Sequence, residues 1–200
     1  MKQANRQEMQ ERFELIEKMM LEARRTTEYW GWNFVLWGTA YLIAIAWGAF
    51  GPMPNLAWPV TMITAGVATA VIARRKARRQ PGTVLGRAMM AIWVSIGWAL
   101  FIFCFATSAT GHWDTHASLA AIESFLGAAN MASGILLRWR AQASVGILWW
   151  AAAIATCFVS ANQVGWIFIA ITVVGMICFG LYLMLLESKA KSGSQKVAHA

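Results

Sequence analysis

The chain is short of charge. Of its 200 residues only 13% are Asp, Glu, Lys or Arg, while 58% are hydrophobic; a soluble domain carries about 25% charged residues. So little polar surface could not cover a water-soluble fold, which excludes an ordinary globular protein. The shortage is local as well. Between Phe34 and Val60, and again between Arg140 and Glu187, no acid or base occurs, and long apolar runs of this kind mark membrane spans. Cysteine is scarce too: Cys104, Cys157 and Cys178 are odd in number and all lie in apolar runs. That placement argues against a disulfide framework or a cysteine zinc cluster and is read as small buried packing residues. A secretory leader is also missing, because the first 29 residues are polar and charged; the first span is expected to stay as an uncleaved anchor.

Six apolar segments are present, at about 30–50, 55–73, 88–110, 117–137, 142–160 and 164–186. Each approaches the roughly 20 residues a helix needs to cross about 30 Å of hydrocarbon. The connections GPMPN near 51–55, GHWDTH at 111–116 and ANQVG at 161–165 contain no Lys or Arg. With six spans, all seventeen bases then fall on the opposite face: six before Trp30, six in the 74–87 loop, Arg138 and Arg140, and three after Glu187. Basic residues stay on the cytoplasmic side, so the net charge of +8 reports topology rather than nucleic-acid binding, and both termini are expected inside. The expected fold is an all-α six-transmembrane-helix bundle in a bacterial cytoplasmic (inner) membrane. Its parts are an amphipathic helix over 1–29, the spans over 30–187 and a disordered tail over 188–200. The even spans run alike into basic residues and the odd ones start rich in Trp, which fits three tandem helical hairpins or merely the shared interfacial dress of membrane hairpins.

In the N-terminal segment Met9, Phe13, Ile16 and Met20 recur at helical spacing on one face. Glu8–Arg12 and Glu14–Lys18 can pair at i, i+4. Residues 1–28 hold six bases and six acids, and this neutral balance favours packing on the protein or on another helix over binding lipid by charge. The face is therefore a candidate for a protein partner or a homo-oligomer. Arg74, Arg75, Lys76, Arg78 and Arg79 form a basic cluster at the end of the second span, a candidate contact for lipid headgroups.

Glu123 is the residue most able to carry chemistry. In a fourth span starting near His116 it lies about 10 Å inside the boundary. A carboxylate facing lipid there would cost a few kcal/mol, so it should point inward or be protonated. Asn130, seven residues on, shares its face, and with the deep Trp98 these residues outline an expected pocket for an ion or small molecule; an interhelical hydrogen bond is the structural alternative. Gly127, Ala128, Ser133 and Gly134 suit this helix to close packing. His112, Asp114 and His116 have metal-ligand spacing only if one helix runs through both histidines. Gly111 and the capping residues Asp114 and Thr115 instead place the helix start between them. No nucleophile–base arrangement, P-loop or haem-type histidine pair occurs, so no cofactor and no enzymatic activity are expected.

LIEKMMLEARR at 15–25, VLWG at 35–38, SGILLRWRAQASVGILWW at 133–150 and the closing span to Leu186 resemble a family of small bacterial multi-pass membrane proteins without an established activity. The resemblance implies the six-helix fold with a cytoplasmic N-terminal helix, and no catalytic residues. Where that family carries a proline after the basic residues of the fourth span, this chain has Ala141. Together these features point to a non-enzymatic scaffold or regulatory partner, with a transporter or substrate-binding membrane subunit built around Glu123 as the alternative.

Overall fold

The computed structural model describes residues 9–15, 30–77 and 84–198. A short helix α1 covers residues 9–15. Then follow α2 (Gly31–Phe50), α3 (Pro54–Ala77), α4 (Val84–Ala109), α5 (Thr115–Leu136), α6 (Arg140–Phe158) and α7 (Ala161–Thr172). α7 passes through one π-helical stretch, Val173–Cys178, into α8 (Phe179–Ala198). Taking α7 to α8 as one rod, six helices are long and apolar enough to cross a membrane, and the chain is an integral membrane protein. Hydrocarbon offers no partner for backbone N–H and C=O groups, so apolar stretches of this length close their hydrogen bonds within a helix.

The breaks between spans have local causes. α2 ends at Gly51, whose N–H bonds Trp47 O at 2.7 Å, while the Trp47 indole donates to Pro52 O across the turn. Gly111, at φ +70°, lets the chain leave α4 in the left-handed region that glycine adopts without strain. Asp114 then caps α5, accepting from Ala117 N at 2.7 Å. Gln163 Oε1 accepts from Ser160 N and Oγ at the start of α7.

α2, α5, α6 and the α7–α8 rod share the core, whose buried members include Phe34, Tyr41, Leu126, Trp149, Phe168 and Leu183. α3 packs on α2, where Trp37 Nε1 donates to Thr69 Oγ1 and Thr69 Oγ1 to Asn33 Oδ1. α4 leans on α5, and Met89 is its one buried side chain. The most extensive pairing joins α5 to α6, across the boundary between the second and third expected hairpins. Small residues make it. A Cβ on Gly134 would lie 2.5 Å from Ala143 N, and one on Gly146 would lie 2.7 Å from Met131 N, so the two backbones touch, as small-residue interfaces in membranes allow.

Two expectations are corrected. α8 runs on to Ala198, so residues 188–198, expected as a disordered tail, are helical; Ala, Lys and Gln there are good helix formers. Cys157 and Cys178, expected inside, face outward.

Candidate functional site: a polar seam between α5 and α6

Along α5, His116, Glu123 and Asn130 follow one another at intervals of seven. Along the antiparallel α6, Gln142, Trp149 and Thr156 do the same. Seven residues are nearly two helical turns, about 10 Å, so each set forms one stripe. The close approaches fix how the stripes meet. His116 Nε2 lies 3.1 Å from Val159 O, and a Cβ on Gly127 would strike Trp150. That register sets Glu123 level with Thr156 and Asn130 level with Trp149, with Gln142 one step further along.

All five of Glu123, Asn130, Gln142, Trp149 and Thr156 are at most 1% exposed, as is Thr172 of α7. Their polar atoms are left open. No hydrogen bond reaches either Glu123 carboxyl oxygen, Asn130 Oδ1, either amide atom of Gln142, Trp149 Nε1, or the hydroxyls of Thr156 and Thr172. Asn130 spends its Nδ2 on Leu126 O at 2.9 Å. The Thr156 hydroxyl neighbours the Glu123 carboxyl, yet no bond of ordinary geometry closes between them. Elsewhere in the bundle Thr61, Thr64, Thr107 and Thr110 donate to the carbonyl four residues back. Thr156 and Thr172 do not, so their hydroxyls remain available. Buried polar atoms are normally paired, and a run of unpaired ones marks a place suited to water, an ion or a polar solute.

The middle level is shaped by the π-helical stretch. A Cβ on Gly175 would sit 2.7 Å from Trp149 Nε1, so the indole lies flush against this backbone. Single π turns inside α-helices are frequent at functional sites. Phe168 holds the ring from the other side, with centroids 6.4 Å apart. Chemically, the seam offers one ionisable carboxyl, carbonyl and hydroxyl oxygens, and N–H donors from Gln142 and Trp149. A bare carboxylate at this depth is costly, so Glu123 is suited to hold a proton or another small cation.

Glu123 and Asn130 thus stand where the sequence placed them, about 12 Å and 22 Å along α5 from Thr115. Trp98 does not join them. It is 61% exposed on α4, edge-on to Phe101; depth within a span made it a candidate, but α4 is peripheral and turns that ring outward. Asp114 is occupied as the α5 cap, His112 precedes it on the surface, and His116 contacts α6. Among the described residues no three His, Cys, Asp or Glu side chains gather as a metal group. Met9 and Phe13 are 51% and 67% exposed on α1; Ile16 and Met20 lie outside the described residues. Arg74 and Arg75 are exposed at the end of α3, Lys76 belongs to its last turn, and Arg78 and Arg79 lie outside the described residues. Gln142, Thr156 and Thr172 were missed. The interval of seven from Gln142 through Trp149 to Thr156 was the signal that could have found the first two. Neither a family model, nor a curated protein, nor a solved structure matches the chain.

Proposed function

We propose that the chain is a small cation carrier of a bacterial cytoplasmic membrane, non-enzymatic, with Glu123 as the group that takes and releases a proton along the α5–α6 seam. The observation that carries this is Glu123 itself: a carboxyl fully buried in a membrane helix, with neither oxygen hydrogen-bonded. Intramembrane acids are rare, costly and tied to proton or ion paths. The unpaired atoms of Thr156, Asn130, Trp149 and Gln142 extend the polar line over two further steps of about 10 Å each, which together span about two thirds of the hydrocarbon thickness. Orientation follows from the bases, all seventeen of which lie on the side of the two termini in a six-span chain.

The test is proton flux into proteoliposomes holding a pH-sensitive dye, driven by a potassium diffusion potential. The wild-type chain is expected to acidify the lumen well above empty vesicles, and Glu123→Gln to fall to their level. Gln keeps the shape and removes the ionisable group, so the thermal midpoint should be unchanged or raised. Equal flux from Glu123→Gln and wild type would sink the proposal.

A scaffold or regulatory role is the second reading, favoured by the apolar face of α1, where Met9 and Phe13 are both more than half exposed. It predicts that removing residues 1–25 leaves the thermal midpoint of the bundle within a degree or two but abolishes self-association in detergent, measured by light scattering. An unchanged mass after the deletion would count against α1 as a homo-oligomer contact.

A further inference from the structure

Away from the seam, a groove of about 540 Å³ lies between α2 and α3, within the range of ligand-sized clefts. On α2 it runs from Trp32 to Ile43. The eleven helical steps between them measure about 16 Å, close to half of the roughly 30 Å hydrocarbon thickness, so the groove is one leaflet long. It opens sideways, since Ile43 and Val60 on its rims are 51% and 42% exposed. Its α3 wall is apolar in effect: the threonines on it, Thr61 and Thr64, already donate to Ala57 O and Val60 O of their own helix. No free polar group on that wall asks for a water-soluble guest.

The α3 wall is a stripe, Thr61, Thr64, Ala65 and Ala68, spaced as one helical face. Seven residues beyond Ala68 the same stripe reaches Arg75, exposed, with Arg74 beside it. An apolar trough one leaflet long that ends under a guanidinium has the dimensions and charge of a phospholipid. A guanidinium binds a phosphate with paired hydrogen bonds, and basic residues at a span end attract anionic headgroups. We propose that this groove is a binding site for one anionic phospholipid, its acyl chain against the Ala65–Ala68 wall and its phosphate on Arg75. The site is independent of the seam and would persist in Glu123→Gln.

Native mass spectrometry of the full chain in detergent tests it, using phosphatidylglycerol and phosphatidylcholine with identical acyl chains. One phosphatidylglycerol is expected to stay bound through activation that strips phosphatidylcholine. Arg75→Ala, an exposed change that leaves packing untouched, should weaken phosphatidylglycerol about fivefold and leave phosphatidylcholine as it was. Ala68→Phe, which fills the trough, should remove the bound lipid. Equal retention of the two lipids, or lipid retention unaffected by Ala68→Phe, overturns the proposal. A lipid-free dimer of the wild type that Ala68→Phe splits would also overturn it, by giving the groove to a second copy of the chain.

Discussion

Gly146→Ala is expected to destabilise the bundle by about 3 kcal/mol, the upper end of what one added methyl costs in a filled interior. The new Cβ would lie 2.7 Å from Met131 N and 2.9 Å from Gly127 O. Both are backbone atoms of α5, so no rotamer change relieves the overlap and the two helices must separate. Gly134→Ala meets Ala143 N at 2.5 Å and should behave the same way. Gly97 supplies the control: it lies within α4, and nothing stands within 4 Å of a Cβ placed on it. Alanine there should be neutral or slightly stabilising through helix propensity. Thermal unfolding in detergent, followed by circular dichroism, compares the three. Similar midpoints for Gly146→Ala and Gly97→Ala would contradict backbone contact between α5 and α6. Because the seam depends on this contact to set Glu123 level with Thr156, Gly146→Ala should also depress proton flux, by misalignment and without touching a polar atom.

The spans themselves were legible because a helix is the one way an open apolar stretch can satisfy its backbone in hydrocarbon. The start of α5 was legible for a local reason: Gly111 and Asp114 are a left-handed break and a cap, each a property of its own residue type. The inward position of Glu123 followed from cost alone, since lipid would not accept it. What stayed hidden was which helix faces which. In water an apolar stripe points to the core, but lipid is as apolar as leucine and the pattern loses that meaning. Trp98 shows the consequence: its position within the α4 span made it a candidate, yet depth does not separate the bundle interior from the lipid side. The pairing of α5 with α6 was carried by small residues, Gly127, Gly134 and Gly146, and by polar ones at intervals of seven, Gln142 and Thr156. These signals are sparse beside the long runs of Leu, Ile, Val and Trp. The π turn at Val173–Cys178 has no residue signature at all; it is visible only in how Gly175 meets the Trp149 ring.

That ring is the hinge of the middle level, and Trp149→Ala is expected to cost about 3–5 kcal/mol, the usual range for emptying a large aromatic site. Trp149 is wholly buried, flanked by Phe168 and by the Gly175 backbone, and both neighbours sit on the continuous α7–α8 rod, which cannot fold into the space the ring leaves. The cavity left behind would open within the seam, whose buried polar atoms are unpaired. A polar cavity of that size takes in water, so the unfolding midpoint should fall while passive proton leak rises. Trp149→Phe separates packing from chemistry. It keeps a six-membered ring in the site and removes the pyrrole portion with its Nε1–H, which has no hydrogen-bond partner in the protein, so its stability loss should stay at about 1–2 kcal/mol, well below that of the alanine variant. If that N–H serves the solute path, driven flux falls in Trp149→Phe although the fold survives. If the indole is packing alone, flux in Trp149→Phe matches wild type, and the polar path must run past Trp149 through Asn130 and Thr172. Both variants read by the same liposome assay and the same melt, so a loss of flux in Trp149→Phe as large as in Trp149→Ala, despite a much smaller drop in midpoint, assigns the effect to the donor and not to the bundle.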